Sequence, residues 1–241
     1  PGDAPVVVSH EDLVGHPFSG GVAGPAIAER LVAVFPEMKV LVVVREQVGM
    51  LVSIYKQYVR AGGTIRLERW VEPLPNARRV PSFSLEHYAY DRLVRHYQDR
   101  LGATRVHVVP FELLRLDPAS FAAEICAVVG SPVPPDLPTA PVNVGISAVG
   151  SSAKRVLNRL VVRDAVNPAP LLGLDRSART VDALTRRMDA RLPDAWRRRG
   201  DARLRDRAAA VVGDRFAESN RALAELTGLD LASFGYPGTS T

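Results

Sequence analysis

The sequence predicts an α/β fold in which a parallel sheet is flanked by helices, followed by a mostly helical C-terminal part. Short runs of β-branched and aliphatic residues, at Val40 to Val44 and Val106 to Pro110, are typical of strands buried on both faces. Segments with apolar residues at helical spacing separate these runs. Strands that alternate with helices form right-handed βαβ units, so we expect the strands to be parallel.

The N-terminal segment predicts one more strand, a glycine-rich loop and a helix. The strand is expected at Val6 to Ser9 and ends at His10 and Glu11. The loop HPFSGGVAG follows. Pro25 suits the first turn of a helix that reaches about Phe35, because proline already has a helical φ and its missing N–H has no partner there anyway.

The most informative stretch runs from Lys39 to Tyr58. Its strand ends directly at Arg45, and a helical pattern from Val48 to Arg60 carries Ser53. Ligands of parallel sheets bind at the carboxyl ends of strands, and the N–H groups that open a helix favour anions. The arginine, the helix start and the hydroxyl predict a phosphate or sulfate site. The alternative interpretation is an ordinary solvated or ion-paired arginine.

The rest of the chain continues the alternation and then becomes helical. An irregular excursion is expected from Thr64 to Ser82, with Trp70 as a wall of a substrate pocket. A helix over Leu85 to Leu101 precedes the strand at Val106, and Asp117-Pro118 opens a helix that ends near Gly130. Prolines over 131–141 form a connector.

Composition narrows the class of protein. The chain has 241 residues, a net charge of +5 and a sequence pI of about 9.7. Acidic residues interleave the basic runs, and no basic run has aromatic residues interleaved in the way that suits single-stranded nucleic acid, so we expect no nucleic-acid partner. No apolar run reaches the ~20 residues of a membrane span.

The start of the chain has no signal-peptide pattern, and the single Cys126 is expected to be buried and inert, so a cytoplasmic setting is predicted. The five histidines have no ligand spacing, and no metal is expected.

Three segments, in this order, resemble the sulfotransferases that use 3′-phosphoadenosine 5′-phosphosulfate (PAPS), especially bacterial members. They are VVVSHEDL, VVVREQVGMLVSIY and VVPFELLRLDPASFAAEICAVVG. The resemblance implies a P-loop-NTPase-like sulfotransferase fold. It implies a single sulfotransferase-like domain over 1–241, with an α/β cofactor-binding core at 1–130 and a helical extension at 142–241.

The resemblance also implies roles for individual residues. His10 is the expected catalytic base, with Glu11 as the alternative base or as the group that orients His10. Arg45 and Ser53 are expected to hold the 3′-phosphate of the cofactor. Phe111 stands where the family has a tyrosine near the adenine, which keeps an aromatic face and loses a phenol hydrogen bond.

Two further residues have open roles. Asn143 and Ser147 follow the proline connector, where they are expected either to approach the cofactor phosphate or to cap a loop. The acceptor is expected to be a hydroxyl or amine of a small molecule, glycan or lipid. A homodimer is a further expectation for the basic helical part.

One departure from the family pattern leaves the function open. The phosphosulfate loop is absent, and Ser19-Gly20-Gly21 has no lysine and does not follow a strand directly. We expect the loop and another strand upstream of Pro1; otherwise the chain is a non-catalytic relative. Two alternatives to sulfuryl transfer are an anion-binding or interaction protein and a kinase-like phosphotransferase, which needs a Walker lysine and an acidic Mg²⁺ ligand.

Overall fold

The computed structural model describes residues 5–73, 82–137, 145–163, 167–172 and 178–239. The chain divides into two compact units, each built from separate stretches of sequence. The first contains Pro1–Gln47, Pro73–Ala140 and Gly213–Thr241, and the second contains Val48–Glu72 and Pro141–Val212. The first unit thus includes the C-terminal end of the predicted helical part, and the second includes a stretch of the predicted α/β core. The single-domain organisation stays a prediction.

The first unit contains a parallel sheet. Its strands are β1 (Val40–Val44) and β2 (Val106–Pro110). They pair in parallel, with Val40 opposite Val106 and Val44 opposite Pro110. Val44 and Val109 are buried in the core of the unit. Both strands and their parallel pairing confirm the prediction, because a continuous apolar run between two helices has few other ways to be buried.

The strand expected at Val6 to Ser9 is not formed, and this prediction is wrong. Residues 5–10 have no strand pairing. The side chains of Val6, Val7 and Val8 are 90%, 64% and 68% exposed. β-Branched residues favour strands only where a neighbouring strand and a covering layer are present. The described part of the chain places neither a neighbouring strand nor a covering layer beside this segment. The strand preference of its valines is therefore not enough to form a strand.

The helices of the first unit are α1 (Gly24–Val34), α4 (Tyr90–Leu101), α5 (Phe111–Leu116), α6 (Pro118–Val129) and α10 (Ala217–Thr227), with 3-10 turns at Glu11–Val14, Pro17–Ser19, Leu85–Tyr88 and Ala103–Arg105. The bounds of α1 and α6 follow the prediction, whereas the helix predicted over Leu85 to Leu101 is divided into a 3-10 turn and α4. Asp117 caps α6 by accepting the Ser120 N–H at 3.0 Å, and Gly130 ends it with a φ of 74°. Cys126 is only half-buried, because α6 lies at the surface and buries no residue fully.

The second unit is helical. It contains most of α2 (Gln47–Arg60), together with α3 (Leu67–Trp70), α7 (Ala148–Val161), α8 (Ala178–Ala190) and α9 (Asp194–Val212). The ring of Trp70 stacks on Tyr58 with 4.8 Å between centroids. The excursion predicted from Thr64 therefore contains a short helix whose tryptophan packs on α2. Its residues 74–81 lie outside the described ranges.

Charged side chains form part of the interior of this second unit. Lys154 is fully buried, and its Nζ lies 3.4 Å from Oδ1 of Asp182. Arg186 donates from Nε to Oδ2 of Asp182 at 2.9 Å, and Arg60 lies 3.9 Å from the same oxygen. Burial alone raises the pKa of Asp182, but the Arg186 hydrogen bond and the Lys154 charge outweigh it and lower that pKa. Asp182 thus joins α2, α7 and α8.

Replacing Asp182 with asparagine is expected to destabilise the protein. The change removes the carboxylate that faces buried Lys154, and breaking such a pair typically costs ~3–5 kcal/mol, so we expect about 2–4 kcal/mol for this partly exposed group. Urea unfolding at pH 7 measures the loss. Asp194→Asn is the matched control, because the Asp194 side chain is 68% exposed and pairs with Arg197 one turn away on the same helix.

The same pair of proteins gives a pH test. The folded pKa of Asp182 is lower than its ordinary 3.8, so its stabilising contribution is present above that value and is lost as the pH falls through the folded pKa. The difference in free energy of unfolding between wild type and Asp182→Asn should therefore shrink below pH 3.8. A difference that stays constant down to pH 2 would contradict this assignment.

Candidate anion site at the carboxyl edge of the sheet

The register of the sheet brings Arg45 and Phe111 together. Val44 and Pro110 are the last paired residues of β1 and β2, so the residues that follow them leave the sheet side by side. The guanidinium carbon of Arg45 lies 4.9 Å from the centre of the Phe111 ring. A guanidinium over an aromatic face is held by a cation–π attraction of roughly 0.5–2 kcal/mol. Two residues predicted for the cofactor site are therefore in direct contact.

The guanidinium of Arg45 is a cation at the carboxyl edge of the sheet. Among the described residues it has no carboxylate partner and donates no hydrogen bond, and the residue is half-buried. Burial lowers the pKa of Arg45, and the charge of Arg115 lowers it further. Arginine nevertheless stays protonated in proteins. A half-buried positive fork of this kind is suited to two oxygens of a phosphate or sulfate group.

Glu112 fixes the backbone around this arginine. Its Oε1 accepts the N–H of Glu46 at 3.0 Å, directly before α2 begins. Its Oε2 accepts the hydroxyl of Tyr236 at 3.3 Å. A carboxylate also suits the positive end of the α2 dipole. Glu112 therefore ties the end of β2 to the start of α2 and to the C-terminal segment.

Two buried tyrosines complete this support. The hydroxyl of Tyr90 donates to the Arg45 carbonyl at 2.9 Å. Burial raises the pKa of both Tyr90 and Tyr236 far above the usual value. Both hydroxyls therefore stay protonated and remain donors throughout the physiological range.

A buried amide pair anchors the first residue of α2. Gln47 Nε2 donates to Asn220 Oδ1 at 2.7 Å, and Asn220 Nδ2 donates to Gln47 Oε1 at 3.2 Å. Asn220 also donates to the Pro237 carbonyl at 2.9 Å. These supporting residues were not predicted from the sequence. Glu112 has a local signal, a carboxylate in the first turn after β2.

His10 lies in an exposed turn. Its side chain is 64% exposed, and its Nδ1 accepts the Asp12 N–H at 3.1 Å. The Asp12 carboxylate, rather than that of Glu11, lies near the imidazole, at 3.8 Å. Because Nδ1 accepts a hydrogen bond, the neutral ring carries its proton on Nε2 in this arrangement.

The remaining predicted site residues lie in the second unit or outside the described ranges. Ser53 is half-buried on α2. Ser147 is buried and caps α7: its hydroxyl accepts the Gly150 N–H at 3.2 Å and donates to the Asp189 carboxylate. This geometry agrees with the capping alternative for Ser147. Asn143 is outside the described residues.

A double-mutant cycle tests the Glu112 connection. Glu112→Ala is expected to lower the free energy of unfolding by about 1–3 kcal/mol, because it leaves the Glu46 N–H and the Tyr236 hydroxyl without an acceptor. Tyr236→Phe is expected to cost about 0.5–1.5 kcal/mol. The double variant should lose less than the sum, measured by urea unfolding. Strict additivity would show that the two residues do not share this hydrogen bond.

Surveys of the described ranges for metal sites and membrane spans give negative results. No group of three or more His, Cys, Asp or Glu side chains there is arranged to hold a metal ion. No described helix has both the length and the apolar character that crossing a bilayer requires.

Comparison with known proteins gives one match. No curated protein and no solved structure matches the chain. Residues 26–135 match the family model described as the sulfotransferase family. The matched range contains β1, β2, Arg45, Phe111 and Glu112. The match covers a little under half of the chain and supports a sulfotransferase-family domain over residues 26–135.

Proposed function

We propose that this protein transfers a sulfuryl group from PAPS to a hydroxyl or amine of a small-molecule, glycan or lipid acceptor. The observation that carries the proposal is the guanidinium of Arg45, which has no carboxylate partner among the described residues and lies over Phe111 at 4.9 Å inside the range matched by the family. The sheet edge and the start of α2 are where such a domain is expected to bind an anion.

The residues at this edge suit the donor. Arg45 offers a planar fork to the 3′-phosphate, and Ser53 is proposed to add a hydroxyl donor. The Phe111 ring offers an aromatic face near the adenine. When bound, PAPS supplies the sulfuryl group. Because charge spreads over oxygens during such a transfer, fixed cations and positioning do most of the catalytic work.

His10 is proposed as the general base. Its Nδ1 accepts the Asp12 N–H at 3.1 Å, which holds the ring in place. To accept a proton from an acceptor hydroxyl, the neutral ring must turn or exchange its tautomer so that a ring nitrogen is free. Glu11 is the alternative base. Asn143 is proposed to approach the cofactor phosphate or to cap a loop, and the same two roles are proposed for Ser147, whose hydroxyl caps α7. A cytoplasmic homodimer is proposed.

Calorimetric titration with 3′,5′-adenosine bisphosphate tests the donor site, with 5′-AMP alongside. Arg45→Ala is expected to weaken binding of the bisphosphate by about 10–100-fold, the effect of losing charge-assisted hydrogen bonds of ~1.5–3 kcal/mol. Binding of 5′-AMP should be weak and little changed, because it has no 3′-phosphate.

Two variants control for charge alone. Arg45→Lys keeps the charge without the planar fork and should lose part of the affinity. Arg115→Ala removes an exposed neighbouring charge and should leave the affinity within about threefold, because solvent screens it. Absence of bisphosphate binding, both in this chain and in a chain extended upstream, would overturn the proposal.

Replacing His10 tests the base. His10→Ala is expected to lower the transfer rate from radiolabelled PAPS by about 10²–10⁴-fold, the usual contribution of a positioned base, with bisphosphate affinity unchanged. His16→Ala is the matched control, because His16 also caps an exposed turn, accepting the Phe18 N–H at 3.3 Å. Equal losses of activity in the two variants would contradict the assignment of His10 as the base, because loss of a turn cap would then explain both.

A further inference from the structure

The second unit contains a cleft whose walls are rich in arginine. One cavity of about 590 Å³ lies among α2, α3, α7 and α9. A second cavity of similar volume shares Arg66 and Arg155 with it. We call the two together the arginine cleft. Cavities of this size are typical of sites for small ligands, which occupy roughly 300–1,000 Å³.

The charge of the arginine cleft is strongly positive. Six arginines line it against one carboxylate, that of Glu68. Arg207 binds Glu68 through two hydrogen bonds of 2.5 and 2.7 Å, and Arg69 pairs with Glu72. Among the described residues, the other four have no ion pair; they are Arg66, Arg155, Arg159 and Arg203.

Unpaired arginines in one cleft repel each other. The repulsion is small for charges that are fully hydrated and larger where cavity walls exclude water. Glu68 and Glu72 balance the charges of Arg207 and Arg69, and the described residues supply no carboxylate for the other four arginines. A bound anion is the group that would balance those four charges.

Ser151 provides an independent indication of a ligand. It lines the first cavity and is only 3% exposed. Its hydroxyl oxygen is buried and has no hydrogen-bond partner among the described residues. A buried hydroxyl without a partner costs roughly 1–3 kcal/mol relative to one that is satisfied. An anionic oxygen in the cavity would accept its hydrogen bond.

We propose that the arginine cleft binds a compact oligoanion, meaning a molecule with two or more phosphate, sulfate or carboxylate groups. Two adjoining cavities with shared arginines suit separate anionic groups of one molecule better than a single ion. A nucleic acid fits less well, because Tyr55 is the one aromatic residue that lines either cavity. It is only 6% exposed and offers no face on which bases could stack.

This proposal is independent of sulfuryl transfer. None of the arginines that line the cleft belongs to the proposed donor site at Arg45. Binding to the cleft can therefore be measured without PAPS or an acceptor, and either proposal can fail while the other stands.

Titration calorimetry and thermal unfolding with two probes test the cleft. Inositol hexakisphosphate presents phosphates and sucrose octasulfate presents sulfates, so the pair shows which group is preferred. We expect micromolar binding of at least one probe, a raised Tm, and at least tenfold weaker binding of inorganic phosphate. The double variant R66A/R155A should lose at least tenfold in affinity and keep its affinity for 3′,5′-adenosine bisphosphate.

Two further variants make the test specific. R198A/R199A removes the same charge from exposed positions of α9 outside the cleft and should change affinity less than threefold. Ser151→Ala should weaken probe binding about threefold or more without lowering the Tm of the free protein, because it removes a hydroxyl that has no partner. Equal losses in the two double variants, or tighter binding of a single-stranded oligonucleotide than of either probe, would overturn the proposal.

Discussion

The carboxylate of Glu112 is the interaction on which the anion site depends. It receives the Glu46 N–H at the start of α2 and the Tyr236 hydroxyl from the C-terminal segment. Arg45 lies between β1 and α2, and its carbonyl is held by Tyr90. Because the backbone on both sides of Arg45 is fixed, the guanidinium can remain over Phe111 without an ion pair. An arginine on a loose loop would instead point to water or reach a carboxylate.

The arginines of this chain fall into two groups. Some bind carboxylates and hold elements together, as Arg100 does with Glu29 and Arg105 with Glu37. Others have no carboxylate partner among the described residues, and they include Arg45 at the sheet edge and four of the six arginines of the arginine cleft. The positive charges behind the net charge of +5 therefore act in two ways. Arginines that pair with carboxylates hold structural elements together, and arginines without a carboxylate produce a positive potential that attracts anions.

The two units use buried polar groups differently. In the first, amides, phenols and the Glu112 carboxylate meet at the start of α2 and join segments that are distant in the sequence. In the second, a buried lysine and its aspartate join α7 to α8, while Ser147 and Asp189 cap α7. Buried polar groups need specific partners, so each set fixes one arrangement of its helices.

The sequence by itself determined the two paired strands, the approximate bounds of α1, α2 and α6 and the position of Arg45 after β1, because these follow from local apolar patterns and caps. It did not determine which apolar run would find a partner: Val6 to Ser9 has the same composition as a strand and remains exposed. It also did not reveal Tyr90, Asn220 or Tyr236, which lie far along the chain from Arg45. Tertiary structure alone decided these contacts. Hydrogen bonds between distant segments depend on how the segments pack, and local sequence patterns do not predict that packing.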